Sequence, residues 1–277
     1  MGDFVEQTAL ESVGPSHWRA QLSKDWMLWG PAGGYVSAIA LRAAGAATQF
    51  TRPVSFACQY LSVARFEPVD LHVESLRAAS RTEALRVRMT QGDRTVLEAQ
   101  VWAAGDNEGM VHDRVPVPDL PGHEDLPNLE TLREGGDPPH PFFDNFEWRP
   151  IDPSVRGDLT PRDPELRGWH RFRPRPQADD AFVDAGRALI LIDTFTWPAT
   201  YELHRGPDSP WIAPNLDLYV RFHRDTRPHE WLANVGRADL AEGGLIAATG
   251  AVWSLDRELL ASGATQLYCR PRPERFK

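Results

Sequence analysis

An apolar run, Ala188-Leu189-Ile190-Leu191-Ile192, leads directly into an acid, Asp193. A carboxylate entering apolar surroundings loses hydration, so its pKa rises and it becomes a better base near neutral pH. The same position suits an ordinary helix N-cap, because aspartate accepts hydrogen bonds from the first free amides of a helix. Residue types alone leave both roles open. A glycine pair, Gly33-Gly34, stands before another apolar segment. Free N–H groups and the helix dipole favour negative charge at a helix start, so this pair is placed to polarise a carbonyl as an oxyanion hole. Glycine also serves a tight passage between strand and helix, and the two roles are compatible. Other chemistries lack their residues. No G-x-S-x-G elbow occurs and no serine is placed beside a histidine and an acid, which argues against a serine hydrolase. The nine histidines show neither H-x-H nor H-E-x-x-H spacing, so no metal is expected. Cys58 and Cys269 lack C-x-x-C spacing and read as incidental thiols of a cytosolic enzyme. No redox or other cofactor is implied.

Elements able to hold such residues are visible around them. From Gly33 to Ala47 the chain is apolar all round, with Arg42 its only charge. Such a helix is wrapped by other structure and does not lie on a surface. Leu71, Val73 and Ser75 alternate with His72, Glu74 and Leu76, and Leu85, Val87 and Met89 alternate with Arg86, Arg88 and Thr90. Both patterns are those of half-buried antiparallel strands. QGDR and SLDRE have the length and residues of hairpin loops. An apolar helix followed by a long antiparallel meander predicts a sheet curled around that helix.

The pattern occurs twice. GGYVSAIALRAAGAAT, PVSFACQYL, VDLHVESLRAAS and EALRVRMTQGDRTVLEAQVWAA are matched in order by ALILIDTFTWPATYELH, PNLDLYVRFHR, HEWLANVGRADL and GGLIAATGAVWSLDRELLASGATQLYC. Pro53 matches Pro214, Pro68 matches Pro228, and Asp93-Arg94 matches Asp256-Arg257, an internal duplication of one α+β unit. Between the copies, the stretch from Gly109 to His140 is rich in Pro, Gly and acid and has no periodicity, as expected of a linker or surface crossover. The expected organisation is a unit over 1–108, a linker over 109–141 and a second unit over 142–277. A formal net charge of −9 argues against sequence-independent nucleic-acid binding. No apolar stretch reaches membrane-span length, and the polar N-terminus lacks the pattern of a secretory signal, so a cytoplasmic protein is expected.

WGPAGGYVSAIALRAA with the PVSFACQYL strand resembles the first repeat of the TesB-like acyl-CoA thioesterases, the acyl-CoA thioesterase II family. FEWRPI, ALILIDTFTWP, PNLDLYVRFHR with HEWL, and LLASGATQ resemble the second. The resemblance implies an α+β double hot-dog fold, two tandem units each with a curved antiparallel sheet around a central helix. It also implies a water activated by an Asp at the start of the second helix, a Thr or Ser on the following strand, and a late Gln. These fall on Asp193, Asn215 and Gln266. Asn215 departs from the family's Thr or Ser, although an amide still donates and accepts hydrogen bonds. Tyr35 departs from a Gln that many relatives carry after the glycines. Gly33 and Gly34 would meet the substrate carbonyl. Trp26, Trp29 and Trp197 suit either an acyl tunnel or core packing. Arg221, Arg224 and Arg227 suit a salt-bridged rim better than a phosphate site.

The expected function is therefore hydrolysis of an acyl-CoA to free acid and CoA through an Asp193-activated water, in a homo-oligomer. A hot-dog hydratase would want an Asp and a His a few residues apart, and His204 lies too far from Asp193. A non-catalytic acyl-CoA or lipid binder is the alternative from another class, kept open by Asn215.

Overall fold

The computed structural model describes residues 2–132, 140–151, 163–204 and 209–272. The chain opens with α1 (Phe4–Gln7), β1 (Glu11–Gly14) and β2 (His17–Gln21), followed by the long α2 (Gly33–Ala47). A meander follows: β3 (Arg52–Tyr60), β4 (Pro68–Ala78), β5 (Thr82–Gln91) and β6 (Arg94–Ala104). After the crossover, which carries α3 (Leu129–Leu132), come β7 (Phe146–Pro150), β8 (Glu165–Phe172), α4 (Ala181–Thr194) and α5 (Thr196–Tyr201). The chain then forms β9 (Trp211–Ile212), β10 (Asp217–Phe222), β11 (Trp231–Glu242), β12 (Leu245–Trp253), β13 (Leu259–Tyr268) and β14 (Arg270–Pro271).

Twelve strands form one antiparallel sheet in the order β1-β2-β4-β5-β6-β3-β10-β13-β12-β11-β8-β7. The order reads the same from either end if each strand of the first half is exchanged for its counterpart in the second. The halves are stitched at the centre, where β3 pairs antiparallel with β10, Phe56 opposite Val220 and Cys58 opposite Leu218. The expected hairpins are present. β5 and β6 close at Gln91 and Arg94 over Gly92, whose φ of +57° favours glycine. The later turn carries Arg257 at a φ of +64° between β12 and β13.

The apolar segment from Gly33 is a helix as expected, buried from Gly34 to Leu41 and again at Ala43 and Ala44. The second helix differs from expectation. It begins at Ala181, capped by the Asp180 side chain accepting from Phe182 N–H, so the run from Ala188 is its second half and not its start. Asp184 and Arg187 hide this helix from a pattern reading. They look like a polar face, yet they form a buried pair with Nη2 2.7 Å from Oδ2. The crossover is also more structured than its composition suggests. Trp169 Nε1 donates to the Pro121 carbonyl at 2.8 Å, and Leu120 packs with Trp169 and Trp231 on the outer face of the sheet.

Candidate active site

α2 and α4 lie side by side and run in opposite directions, because small residues let the backbones approach. A Cβ added to Gly34 would lie 2.6 Å from Ile190 Cα, and one on Gly186 would lie 2.9 Å from Ala38 Cβ. A Cβ on Gly45 would lie 2.6 Å from Phe182 Cβ. The N-terminus of α2 therefore meets the C-terminal turn of α4, and the residue presented there is Asp193.

Asp193 is 5% exposed and accepts three hydrogen bonds. Gly34 N–H reaches Oδ2 at 2.6 Å. The Tyr60 hydroxyl and Asn215 Nδ2 both reach Oδ1, each at 2.9 Å. The Asn215 amide donates also to the Asp193 carbonyl at 3.1 Å, and Thr196 Oγ1 donates to that carbonyl at 3.0 Å. These bonds satisfy the end of α4 and lock the acid's backbone. Tyr60 has one hydroxyl proton, and giving it to Asp193 leaves the phenol oxygen to accept from Ser37 Oγ at 2.8 Å. Ser37 is fully buried on α2, so a relay Ser37–Tyr60–Asp193 crosses from one half of the molecule to the other.

Opposing forces set the acid's affinity for a proton. Burial removes hydration and raises its pKa, against the lowering effect of the bonds from Tyr60, Gly34 and Asn215. Burial wins, and the carboxyl titrates at about 6. The helix ends act in opposite directions: the negative end of α4 disfavours charge at Asp193 and the positive end of α2 favours it. Tyr60 is pushed well above the usual range, first by burial and then by the neighbouring carboxylate, so it stays a protonated donor. The Cys58 thiol, 3.7 Å from Ser37 Oγ, is pushed up to about 12 by burial and is not a thiolate nucleophile at neutral pH.

The structure brings together four of the five residues singled out from sequence: Gly33, Gly34, Asp193 and Asn215. Asp193 sits in the last turn of α4 and not at its start, so the helix N-terminus whose amide it satisfies is that of α2, through Gly34 N–H. The glycines permit contact: a Cβ on Gly33 would lie 2.8 Å from Asp193 Oδ1. The Gly34 amide is engaged by the carboxylate itself, not left free as the oxyanion-hole expectation supposed. Gln266 is not brought to the same point. A Cβ on Gly263 would meet Ile192 Cγ2, so position 263 faces α4. The β12–β13 register is unbroken from Gly263 to Tyr268. Thr265 and Leu267 therefore share that face, and Gln266 points to the other. Its backbone still matters, since its carbonyl accepts from Leu216 N–H and its N–H donates to Asp217 Oδ1, both at 2.8 Å. These bonds fix the segment that carries Asn215.

Tyr35 turns away from the site. Its hydroxyl donates to the Gln7 carbonyl at 2.6 Å, and its ring stacks on Trp26 at 5.3 Å, so it anchors the N-terminal segment. Trp26 is fully buried core and Trp197 packs against that core. Trp29 is among the exposed apolar residues. The arginines at 224 and 227 are paired as a rim, Arg224 with Asp113 and Glu258, Arg227 with Asp225. Among the described residues no cluster of His, Cys, Asp and Glu could hold a metal ion, and no helix is long and apolar enough to cross a membrane. Tyr60 and Ser37 were missed from sequence; an aromatic ending a strand and a serine within an apolar helix read as packing.

Residues 22–104 match the model of the acyl-CoA thioesterase N-terminal domain, and residues 117–269 match that of the acyl-CoA thioesterase C-terminal domain. Solved structures are similar across nearly the whole length. A conserved protein of unknown function with a hot-dog fold from Alicyclobacillus acidocaldarius superposes with a TM-score of 0.81 at 22% identity, covering 98% of each chain. The acyl-CoA thioesterase II TesB2 of Mycobacterium marinum gives 0.78 at 20% identity, over 98% of this chain and 99% of that one. A tesB protein of Mycobacterium avium subspecies paratuberculosis gives 0.76 at 23% identity, over 97% and 98%. At these identities the likeness establishes the hot-dog fold.

Proposed function

The chain belongs to the acyl-CoA thioesterase family and is a thioester hydrolase of the TesB-like, hot-dog type, and from that premise we propose that Asp193 activates the water that cleaves an acyl-CoA. The observation that carries this reading is the carboxylate itself: buried, held by three donors, and titrating at about 6. A carboxylate offers about four lone-pair sites. Two on Oδ1 are taken by Tyr60 and Asn215, and one on Oδ2 by Gly34. The remaining site on Oδ2 holds the water.

The water oxygen attacks the thioester carbonyl carbon while one of its protons passes to Asp193. The carbonyl's electron pair moves onto oxygen, where the positive end of α2 stabilises it. With Gly34 committed to Asp193, the Gly33 amide is the donor for that oxyanion. Collapse of the tetrahedral intermediate expels the CoA thiolate, which takes the proton back from Asp193. The products are the free acid and CoA, and the carboxylate is regenerated. Asn215 fills the Thr or Ser role by gripping Asp193 through both backbone and side chain. Gln266 acts as a positioning residue through its main chain.

The same reading extends to the architecture. Residues 1–108 and 142–277 form two tandem hot-dog units, a double hot-dog joined through 109–141, a division supported by the mirrored strand order. The protein works in the cytoplasm as a homo-oligomer, acyl-CoA its substrate. A single turnover in ¹⁸O-labelled water tests the mechanism. Activated water places the label in the released acid. Label recovered in the Asp193 side chain, with an unlabelled acid, would mean that the carboxylate attacks directly.

A further inference from the structure

The strand end that carries Tyr60 leads into a second feature. Beyond it the chain runs through 61–67 and enters β4 at Pro68. This connection is stitched to the β5–β6 hairpin. Leu61 and Ser62 N–H donate to the Val96 carbonyl at 2.9 and 3.2 Å, and Ser62 Oγ donates to the Thr95 carbonyl at 2.6 Å. The Arg94 guanidinium donates to the Val63 carbonyl. Gln91 Oε1 accepts from Arg65 N–H at 2.8 Å, and Gln91 Nε2 donates to the Arg65 and Glu67 carbonyls at 2.8 and 3.2 Å. A loop tied down in this way is ordered before a ligand arrives, which lowers the cost of binding. Between the loop and the hairpin lies a cavity of about 410 Å³, lined by Arg65, Glu67, Pro68, Gln91, Gly92 and Arg94. Its volume is that of an ordinary small-ligand pocket.

The charges of this lining set it apart from the sheet beside it. Arg19, Arg86 and Arg88 on β2 and β5 each pair with a carboxylate. Among the described residues neither Arg65 nor Arg94 has an acid partner, and both are exposed. Glu67 is the one acid in the lining, and Asp93 of the turn does not belong to it, so the cavity is cationic. A guanidinium fork matches the oxygens of a phosphate. A carboxylate accepts from hydroxyl and amino groups, and the Pro68 ring adds an apolar wall. Phosphate with hydroxyl and amino groups is the chemistry of a phosphorylated nucleoside. The position fits the site as well. Tyr60 lies opposite Leu97 of β6, the neighbour of β3, and Arg94 opens β6 about 10 Å further along at the usual strand rise. Leu61 and Val63, both well exposed, border the way from one to the other. Gly30 narrows it from the opposite side, where a Cβ would lie 3.1 Å from Val63 Cγ1.

We propose that the cavity between 61–68 and the β5–β6 turn receives the phosphorylated nucleoside of CoA, with its phosphates on Arg65 and Arg94 and the pantetheine arm along Leu61 and Val63. The proposal rests on the thioesterase reading of Asp193, where the thioester end of that arm would lie. Octanoyl-CoA and octanoyl-pantetheine share the reacting centre and differ in the nucleotide. In wild type, kcat/KM is at least about tenfold higher for octanoyl-CoA, the value of roughly one hydrogen bond to a charged group. Arg65→Glu, checked for folding by Tm, shrinks that ratio about tenfold with the loss carried by KM, and Arg65→Lys keeps most of it. Added salt shrinks the ratio in wild type more than in Arg65→Glu. An unchanged ratio in Arg65→Glu, or equal losses on both substrates, overturns the cradle and leaves hydrolysis standing. Calorimetry with adenosine 3′,5′-bisphosphate locates the nucleotide. CoA displaces it if the two share the cavity, whereas binding alongside saturating CoA means a separate nucleotide site and overturns the proposal. If neither thioester turns over but CoA binds, and Arg65→Glu weakens it about tenfold, the hydrolytic reading fails and the cradle stands.

Discussion

The two halves share a strand order yet contribute different things to the centre of the molecule. The first half supplies backbone and rigidity: the start of α2, the glycine pair, and a packed inner face of Leu71, Val73, Leu85, Val87 and Met89. The second supplies the titrating group, Asp193. Neither half makes the site alone. Asp193 of α4 is held by Gly34 and Tyr60 from the first half and by Asn215 from the second. The difference teaches how two halves with the same strand order divide labour. Antiparallel packing of two central helices sets the positive end of one beside the last turn of the other, and only one half needs an acid there.

Removing the acid tests this asymmetry most severely. In Asp193→Asn, CoA release from a panel of short, medium, long and aromatic acyl-CoAs falls by about a thousandfold or more, within the usual range for loss of a general base. Retained turnover would move the chemistry elsewhere. The same variant sharpens the comparison thermodynamically. Burial raises the carboxyl from 3.8 to about 6, so the folded state favours the protonated form. The resulting destabilisation is absent below the unfolded pKa and develops as pH rises from about 4 to about 6. Two pKa units amount to at most about 3 kcal/mol. The Tm of Asp193→Asn relative to wild type should therefore improve across that window.

Gly34→Ala probes the first half's contribution. Its new Cβ meets Ile190 backbone at 2.6 Å, and overpacking of this kind costs about 1–3 kcal/mol or more. Gly14→Ala, where a Cβ meets nothing within 4 Å, should stay within about 0.5 kcal/mol by denaturant unfolding. Tyr60→Phe removes one donor to a charged group, a loss of about 1.5–3 kcal/mol, or roughly ten- to a hundredfold in kcat/KM. Gln266→Ala keeps the backbone bonds and should change kcat/KM by less than about twofold.

Much of this arrangement was legible in the residues. The helix at Gly33–Ala47 announces itself by an apolar run too complete for a surface, and the hairpins at Gly92 and Arg257 by their turn residues. Helix α4 was half hidden, because Asp184 and Arg187 satisfy each other inside the protein and so mimic a solvated stretch. That error placed Asp193 at a helix start instead of an end. Gln266 shows a different limit. Strand side chains alternate, so a shift of one position moves a residue to the other face, and residue type does not reveal which face is meant. Tyr60 lay beyond sequence reasoning because its role depends on a contact with a residue 133 positions away.

The pH dependence of kcat/KM, measured for wild type and for Tyr60→Phe, tests the central claim most directly. The account predicts an acid limb near pH 6 in wild type, with activity rising as Asp193 loses its proton. Tyr60 stabilises the ionised carboxylate, so its removal should move that limb upward and make the defect worse at low pH than at high. A profile flat through pH 6, or a limb that Tyr60→Phe leaves in place, would contradict the assignment of Asp193 as the base.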